Sequence, residues 1–90
     1  MKIREHIVFK GDVQGVGFRY TASHLAGRLG LTGYVRNEWD GSVTAEVQGP
    51  REAIDSFLTD IQNGRFINIY NMDISPMPVD EEERSFKVLY

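Results

Sequence analysis

The sequence predicts an α+β sandwich of two layers. Three observations carry that prediction. Several short runs alternate apolar with polar residues, as strands do when they bury one face. Two stretches between them repeat apolar residues at i, i+3, i+4 and i+7, as helices do when they bury one stripe. Glycine, proline and an Asp-Gly pair punctuate the chain between these runs. The order is strand, helix, strand, strand, helix, strand and a short tail strand.

Residues 3–11 place Ile3, Ile7 and Phe9 on one face, with Glu5 the exception, and Lys2, Arg4, His6 and Lys10 on the other with Val8. Ala22, Leu25, Ala26 and Leu29 then form the buried stripe of a short helix that Gly30 stops. Gly27 weakens that helix by roughly 1 kcal/mol relative to alanine. Residues 31–39 read as a second strand, and Asp40-Gly41 as a two-residue hairpin turn. Residues 42–48 alternate cleanly, with Val43, Ala45 and Val47 inward and Thr44, Glu46 and Gln48 on the exposed face. Gly49-Pro50 opens a second helix, with the proline at its first position and Glu52 in its first turn. Its stripe is Ile54, Phe57, Leu58 and Ile61, and Asn63-Gly64 ends it. Residues 66–74 read as a fourth strand, Pro76 and Pro78 break the chain, and residues 86–90 make the last strand. The economical way to bury two helical stripes and one sheet face is a mainly antiparallel sheet with both helices on the same side. That is the ferredoxin-like βαββαβ arrangement.

Ninety residues suit a single domain, 1–90. Hydrophobic content of 41% and charged content of 26% are those of an ordinary globular protein. The absence of cysteine removes disulfides, thiolate nucleophiles and zinc–thiolate sites together. No apolar run reaches membrane-spanning length, and Met1-Lys2-Ile3-Arg4-Glu5-His6 lacks the apolar stretch of a signal peptide, so a cytoplasmic protein without a membrane partner is expected. The net charge is −3, against the basic balance usual in nucleic-acid binders. An anion would therefore be held by local geometry against the overall field. Asp80-Glu81-Glu82-Glu83 reads as a solvated acidic loop.

The most informative segment is Gly11-Asp12-Val13-Gln14-Gly15-Val16-Gly17-Phe18-Arg19. An apolar strand runs into closely spaced glycines and then into a helix. Glycine lets the backbone turn sharply and approach a ligand. Successive N–H groups in such a turn form an anion-binding hollow, and a helix N-terminus adds partial positive charge. Arg19 adds a planar fork of donors suited to phosphate oxygens. Phe18 is expected to anchor the loop in the core. The segment is no Walker A motif, because no Lys-Ser/Thr follows, and no dinucleotide fingerprint, because Gly15-Val16-Gly17 runs on to Tyr20.

A second residue is expected beside it. The first helix is a crossover, so the first two strands run parallel and end at the same edge of the sheet. Arg36-Asn37 lies near the end of the second strand, and if Val35 points to the core, Asn37 does too. No Ser-His-Asp, Cys-His or paired-carboxylate set is evident, no carboxylate–histidine cluster suggests a metal, and His6 and His24 read as ordinary surface or partly packed histidines. Arginine and asparagine offer no general base near neutral pH. They can bind a phosphoryl group, neutralise it and orient a water, which suffices best when the leaving group is already a weak base. A mixed carboxylic–phosphoric anhydride meets that condition better than an alkyl phosphate.

These residues resemble the acylphosphatase family. The resemblance rests on Gly11-x-Val13-Gln14-Gly15-Val16-Gly17-Phe18-Arg19, on Gly33-Tyr34-Val35-Arg36-Asn37-x-x-Asp40-Gly41-x-Val43, and on Val47-Gln48-Gly49-Pro50 and Phe86-x-Val88-x-Tyr90. It covers nearly the whole chain. It implies a ferredoxin-like fold and hydrolysis of acyl phosphates to a carboxylate and inorganic phosphate without metal or cofactor. It makes Arg19 the phosphate-binding catalytic arginine and Asn37 the residue that positions the attacking water. Gln14, Gly15, Val16, Gly17 and Phe18 become the phosphate loop, acting through backbone N–H groups. The implied partner is a small-molecule acyl phosphate met by a monomer, with no nucleic acid and no membrane. Tyr34 stands where the family commonly has tryptophan, and Glu38 adds a negative charge near the anion site, which would weaken substrate affinity. Trp39 reads as an exposed loop aromatic.

Two other classes are weighed beside the enzyme. An RNA-recognition module on the same fold would need aromatics on the open faces of its central strands. A regulatory small-molecule domain would bind without turnover, and phosphate release from benzoyl phosphate separates it from an enzyme.

Overall fold

The alternating runs and helical stripes settle, in a computed structural model describing all of residues 1–90, into β1 (Lys2–Asp12), α1 (Phe18–Leu29), β2 (Thr32–Asn37), β3 (Val43–Pro50), α2 (Arg51–Ile61), β4 (Asn68–Met77) and β5 (Phe86–Leu89). The strands form one sheet in the order β4-β1-β3-β2-β5. β3 is antiparallel to both β1 and β2, so β1 and β2 run the same way with β3 between them. β4 joins β1 antiparallel, and β5 joins β2 in the only parallel pairing. The two helices pack on each other and on one face of the sheet. This is the ferredoxin-like sandwich.

The core lies between the layers. Ile7, Phe9, Val35, Val43, Ala45 and Val47 point up from the sheet, and Ala22, Leu25, Ala26, Ile54, Phe57 and Ile61 point down from the helices. Gly30 closes α1 in the left-handed conformation, and the Leu31 N–H reaches back to the Ala26 carbonyl at 2.9 Å. Gly33 is required for a different reason. At φ 138° a Cβ there would stand 1.8 Å from the Glu46 carbonyl oxygen, so no other residue fits that point of β2.

Glu5, the polar exception on the inward face of β1, is buried and lies against Arg51, whose Nη1 donates to Oε2 at 3.3 Å.

Several boundaries differ from expectation. β2 stops at Asn37, two residues early, because the hairpin loop is longer than a two-residue turn. The Glu38 N–H donates to the Ser42 carbonyl and the Gly41 N–H to the Glu38 carbonyl, so Trp39-Asp40-Gly41 form a three-residue loop with Gly41 at φ 96°. Pro50 is still extended (ψ 149°) and caps α2 rather than opening it. β4 begins at Asn68, since Phe66 sits at φ 68° and the Ile67 N–H closes a turn on Gly64. It then runs through Pro76 instead of breaking there. β4 is an edge strand, where a missing N–H can face away from the ladder.

The open face of the sheet is less exposed than its polarity suggests. Gln48 is 2% exposed and Thr44 5%, and Arg4 on β1 is 6% exposed. The acidic run is not a free loop: residues 78–85 lie across this face. Glu83 accepts from Arg4 Nη1 at 2.6 Å, and the Asp80 backbone exchanges two hydrogen bonds with the Gln48 carboxamide at 2.7 and 2.9 Å. Glu46 sits in the same cluster, 2.9 Å from Arg4 Nη2 and 2.9 Å from His6 Nδ1.

Burial alone would raise the Glu46 carboxyl. Hydrogen bonds from His6, Arg4 and Tyr34 outweigh it and leave the group below its ordinary value of 4.5. A carboxyl lowered in the folded state contributes stability above its unfolded value and loses that contribution as pH falls through the lowered one. Urea midpoints are therefore expected to drop on acidification from about pH 5 to pH 3, and to drop less in Glu46→Gln. An equal drop in both proteins would remove Glu46 as the cause.

Candidate active site

The glycine loop leaves β1 at the end of the sheet where β2 also ends, and the two are joined directly. The Gln14 carboxamide Nε2 donates to the carbonyls of Glu38 at 2.6 Å and Ser42 at 2.8 Å, the two residues that close the β2–β3 hairpin. The Gln14 side chain thus ties the loop to the strand end that carries Asn37. Gly15 and Gly17 hold φ 74° and 77°, values that β-carbon-bearing residues seldom adopt. Phe18 is buried, its ring 4.9 Å from that of Phe9, and pins the start of α1 to the core.

The backbone of this loop is unusually free. From Gln14 to Tyr20 no N–H donates to a backbone carbonyl; the first bond of α1 is Thr21 N–H to Gly17. Gly17 caps α1 without a side-chain hydrogen bond, and no acidic residue stands in the first turn. A helix start normally finds side-chain acceptors for such donors. Here they remain available together, at the positive end of the helix.

Arg19 is the next element. Its Nη1 donates to the Leu89 carbonyl at 3.3 Å, and its guanidinium carbon lies 4.8 Å from the centre of the Tyr90 ring. No carboxylate pairs with it, so its charge is uncommitted. Asn37 enters from β2. Its Oδ1 is buried and has no hydrogen-bond partner, so the carboxamide keeps an unused acceptor.

One cavity of about 320 Å³ brings these groups together, lined by Gly15, Gly17, Phe18, Arg19 and Asn37 with Val13, Tyr20, Ser23, Val88 and Tyr90. Gln14 and Val16 are not on its wall: Gln14 braces the hairpin, and Val16 packs against the core. The contribution of β5 and the residue after it, Val88 and Tyr90 on the wall and the Leu89 carbonyl on Arg19, lies outside the expected site. Its sequence signals are the alternation of Phe86, Val88 and Tyr90 and the place of that motif in the family resemblance. Glu38 does not face the anion site unopposed. Arg36 Nε holds it at 2.9 Å, and that bond, with a second to Thr44, keeps its carboxyl below the usual range. Trp39 is wholly exposed at the hairpin tip.

No three His, Asp or Glu side chains come together to hold a metal ion. No helix is long and apolar enough to cross a membrane. The open faces of β1 and β3 carry Arg4, His6, Val8, Thr44, Glu46 and Gln48, with no Phe, Tyr or Trp for a base to stack on.

Free backbone donors, one unpaired guanidinium and one spare acceptor around a small cavity define a receptacle for a compact anion, with a place beside it for one polar molecule. Comparison with known proteins gives the family. The acylphosphatase family profile matches residues 5–88. An acylphosphatase of Geobacillus kaustophilus is 43% identical over 97% of this chain and 94% of its own length. The crystal structure of acylphosphatase from Bacillus subtilis superposes with a TM-score of 0.92 at 32% identity, over 98% of this chain and 99% of that one. An acylphosphatase structure from Coxiella burnetii gives a TM-score of 0.88 at 28% identity, over 98% and 93% of the two chains. The chain belongs to the acylphosphatase family. Its activity is that of the family, hydrolysis of the carboxyl–phosphate bond of acyl phosphates.

Proposed function

We propose that the substrate's phosphoryl group sits on the N–H groups of the loop residues that line the cavity, Gly15, Gly17 and Phe18, with Arg19 paired to its oxygens, and that Asn37 aims the attacking water. The observation that carries this reading is the set of unbonded N–H groups at Gly15, Gly17 and Phe18 beside an unpaired Arg19, all lining one cavity that Asn37 also lines. The Asn37 Oδ1 accepts a hydrogen bond from water and turns a lone pair toward phosphorus. A new O–P bond forms as the bond from phosphorus to the acyl oxygen breaks. The carboxylate departs with the electron pair, and the water's proton passes to a phosphate oxygen or to solvent. Arg19 and the loop amides meet the charge that spreads over the phosphoryl oxygens in the transition state. The carboxylate is a weak base and leaves without a proton donor, so the site works without a general acid. The reading takes the chain as a single domain, monomeric and cytoplasmic, acting on small-molecule acyl phosphates.

Phosphate release from benzoyl phosphate tests it. The rate is expected to vary little between about pH 5 and 8, because the proposed mechanism uses no general acid or base. It is also expected to survive a chelator. A sharp bell centred near a histidine pKa would contradict the mechanism, since it would require a titrating acid or base.

A further inference from the structure

Arg19 takes its position from β5, and β5 is held by little of its own. It is four residues long, it pairs only with β2, and it follows a segment that has to cross the sheet. In the order β4-β1-β3-β2-β5 the chain leaves one edge and re-enters at the other. Four strand spacings make that crossing roughly 19 Å. Residues 78–85 reach about 27 Å when fully extended, so the strap has limited slack. It is gripped midway. Gln48 on β3 exchanges two hydrogen bonds with the Asp80 backbone, and Arg4 on β1 donates to Glu83 at 2.6 Å while holding Glu46 at 2.9 Å. Arg4 and Gln48 are both buried. Beyond Glu83 the Ser85 carbonyl accepts from the Gly33 N–H at 3.1 Å, and β5 begins. Three residues further on, the Leu89 carbonyl meets Arg19 Nη1 and the Tyr90 ring covers the guanidinium.

We infer that Arg4, Gln48 and Glu83 form a latch on the far face of the sheet that sets the position of Arg19 through the strap and β5. They are positioning residues, since none of them lines the cavity. This rests on Arg19 being the phosphate-binding group. With the latch closed, the Leu89 carbonyl stands where it can hold the guanidinium toward the loop. With the latch broken, β5 is kept only by β2 and by the packing of Phe86 and Val88, and Arg19 is correctly placed for only a fraction of the time. Apparent affinity falls by that fraction, while a bound dianion restores the geometry and turnover proceeds as before. The expected signature is a change in affinity with little change in maximal rate.

The test compares Glu83→Ala with Glu83→Gln, whose amide oxygen still accepts from Arg4. Glu83→Ala is expected to raise KM for benzoyl phosphate and the inhibition constant of inorganic phosphate together, by about three- to tenfold, with kcat changed less than about twofold. Glu83→Gln is expected to return both constants to within about twofold of the parent. A fall in Tm with KM and phosphate inhibition unchanged would show the latch to be a stabilising contact only, and overturn the inference. If Glu83→Ala does not fold, Gln48→Met, which keeps the volume and removes the strap's hydrogen bonds, is read in the same way. Arg19→Ala measured alongside separates the two failures: turnover surviving in that variant removes the phosphate-site reading itself, whereas its loss with a silent Glu83→Ala removes only the latch.

Discussion

Arg19→Ala is expected to lower phosphate release from benzoyl phosphate by about a thousandfold or more while leaving the fold intact. Both halves follow from the same facts. Arg19 makes no ion pair, and its side-chain contacts are one backbone carbonyl and one exposed ring, so little stability depends on it. Yet it is the only full positive charge on the wall of the cavity. A phosphoryl group in transit spreads negative charge over its oxygens, and an arginine placed against that charge in comparable sites is worth about three to five orders of magnitude. Arg19→Lys is expected to recover only a small part, because a point charge replaces a planar fork that the Leu89 carbonyl and the Tyr90 ring hold in one orientation. Circular dichroism and urea titration establish that the variant is folded. A folded variant with near-parental turnover would place the catalytic charge elsewhere.

Asn37→Ala is expected to lower kcat by about a hundredfold or more, because a misplaced water forfeits much of the gain from alignment. Inhibition by inorganic phosphate is expected to stay within about threefold of the parent, since the loop amides and Arg19 are untouched. The buried Oδ1 without a partner makes this separation sharp: the carboxamide holds no part of the protein by that atom. Asn37→Asp is a useful companion, since its negative charge at the same place would repel the dianion and weaken phosphate inhibition as well. Equal losses of turnover and phosphate affinity in Asn37→Ala would assign Asn37 to binding.

Element order and type are readable from the chain because each strand and helix buries a single face, and a buried face imposes its period on the residues. Ile7, Phe9, Val43, Ala45 and Val47 declare strands, and Ala22, Leu25, Ile54 and Phe57 declare helices, without reference to anything distant. Some shifted boundaries are set by local turn geometry, as at Glu38–Ser42 and Gly64–Ile67; the one at Pro76 is set by a remote contact. Pro76 stays in β4 because that strand lies at an edge, which is a property of the sheet and leaves no mark on residues 70–78. The strap over the open face is hidden for the same reason. Arg4 and Glu83 are 79 positions apart, and a run of acidic residues looks alike whether it meets water or a buried arginine.

The site divides along the same line. The glycines, Phe18 and Arg19 lie in one continuous segment whose residue types state a local geometry, and Asn37 follows from the parallel run of β1 and β2. The roles of Gln14 and of β5 depend on which strands are neighbours. The Gln14 carboxamide reaches across to the hairpin rather than into the cavity, and the Leu89 carbonyl reaches Arg19 only because β5 is added beside β2. Glu38 is the instructive reversal. Its charge suggests interference with an anion, but Arg36, two residues earlier on the same face, absorbs it.

The Gln14 bridge has a consequence for how a turnover cycle can proceed. One carboxamide welds the glycine loop, proposed to receive phosphate, to the strand end that carries Asn37, proposed to direct the nucleophile, so the two cannot part without breaking both of its bonds. There is no jaw to shut. A visiting molecule meets a mould that is already set, and its contacts go to the reacting centre, with none diverted to folding a flap over it.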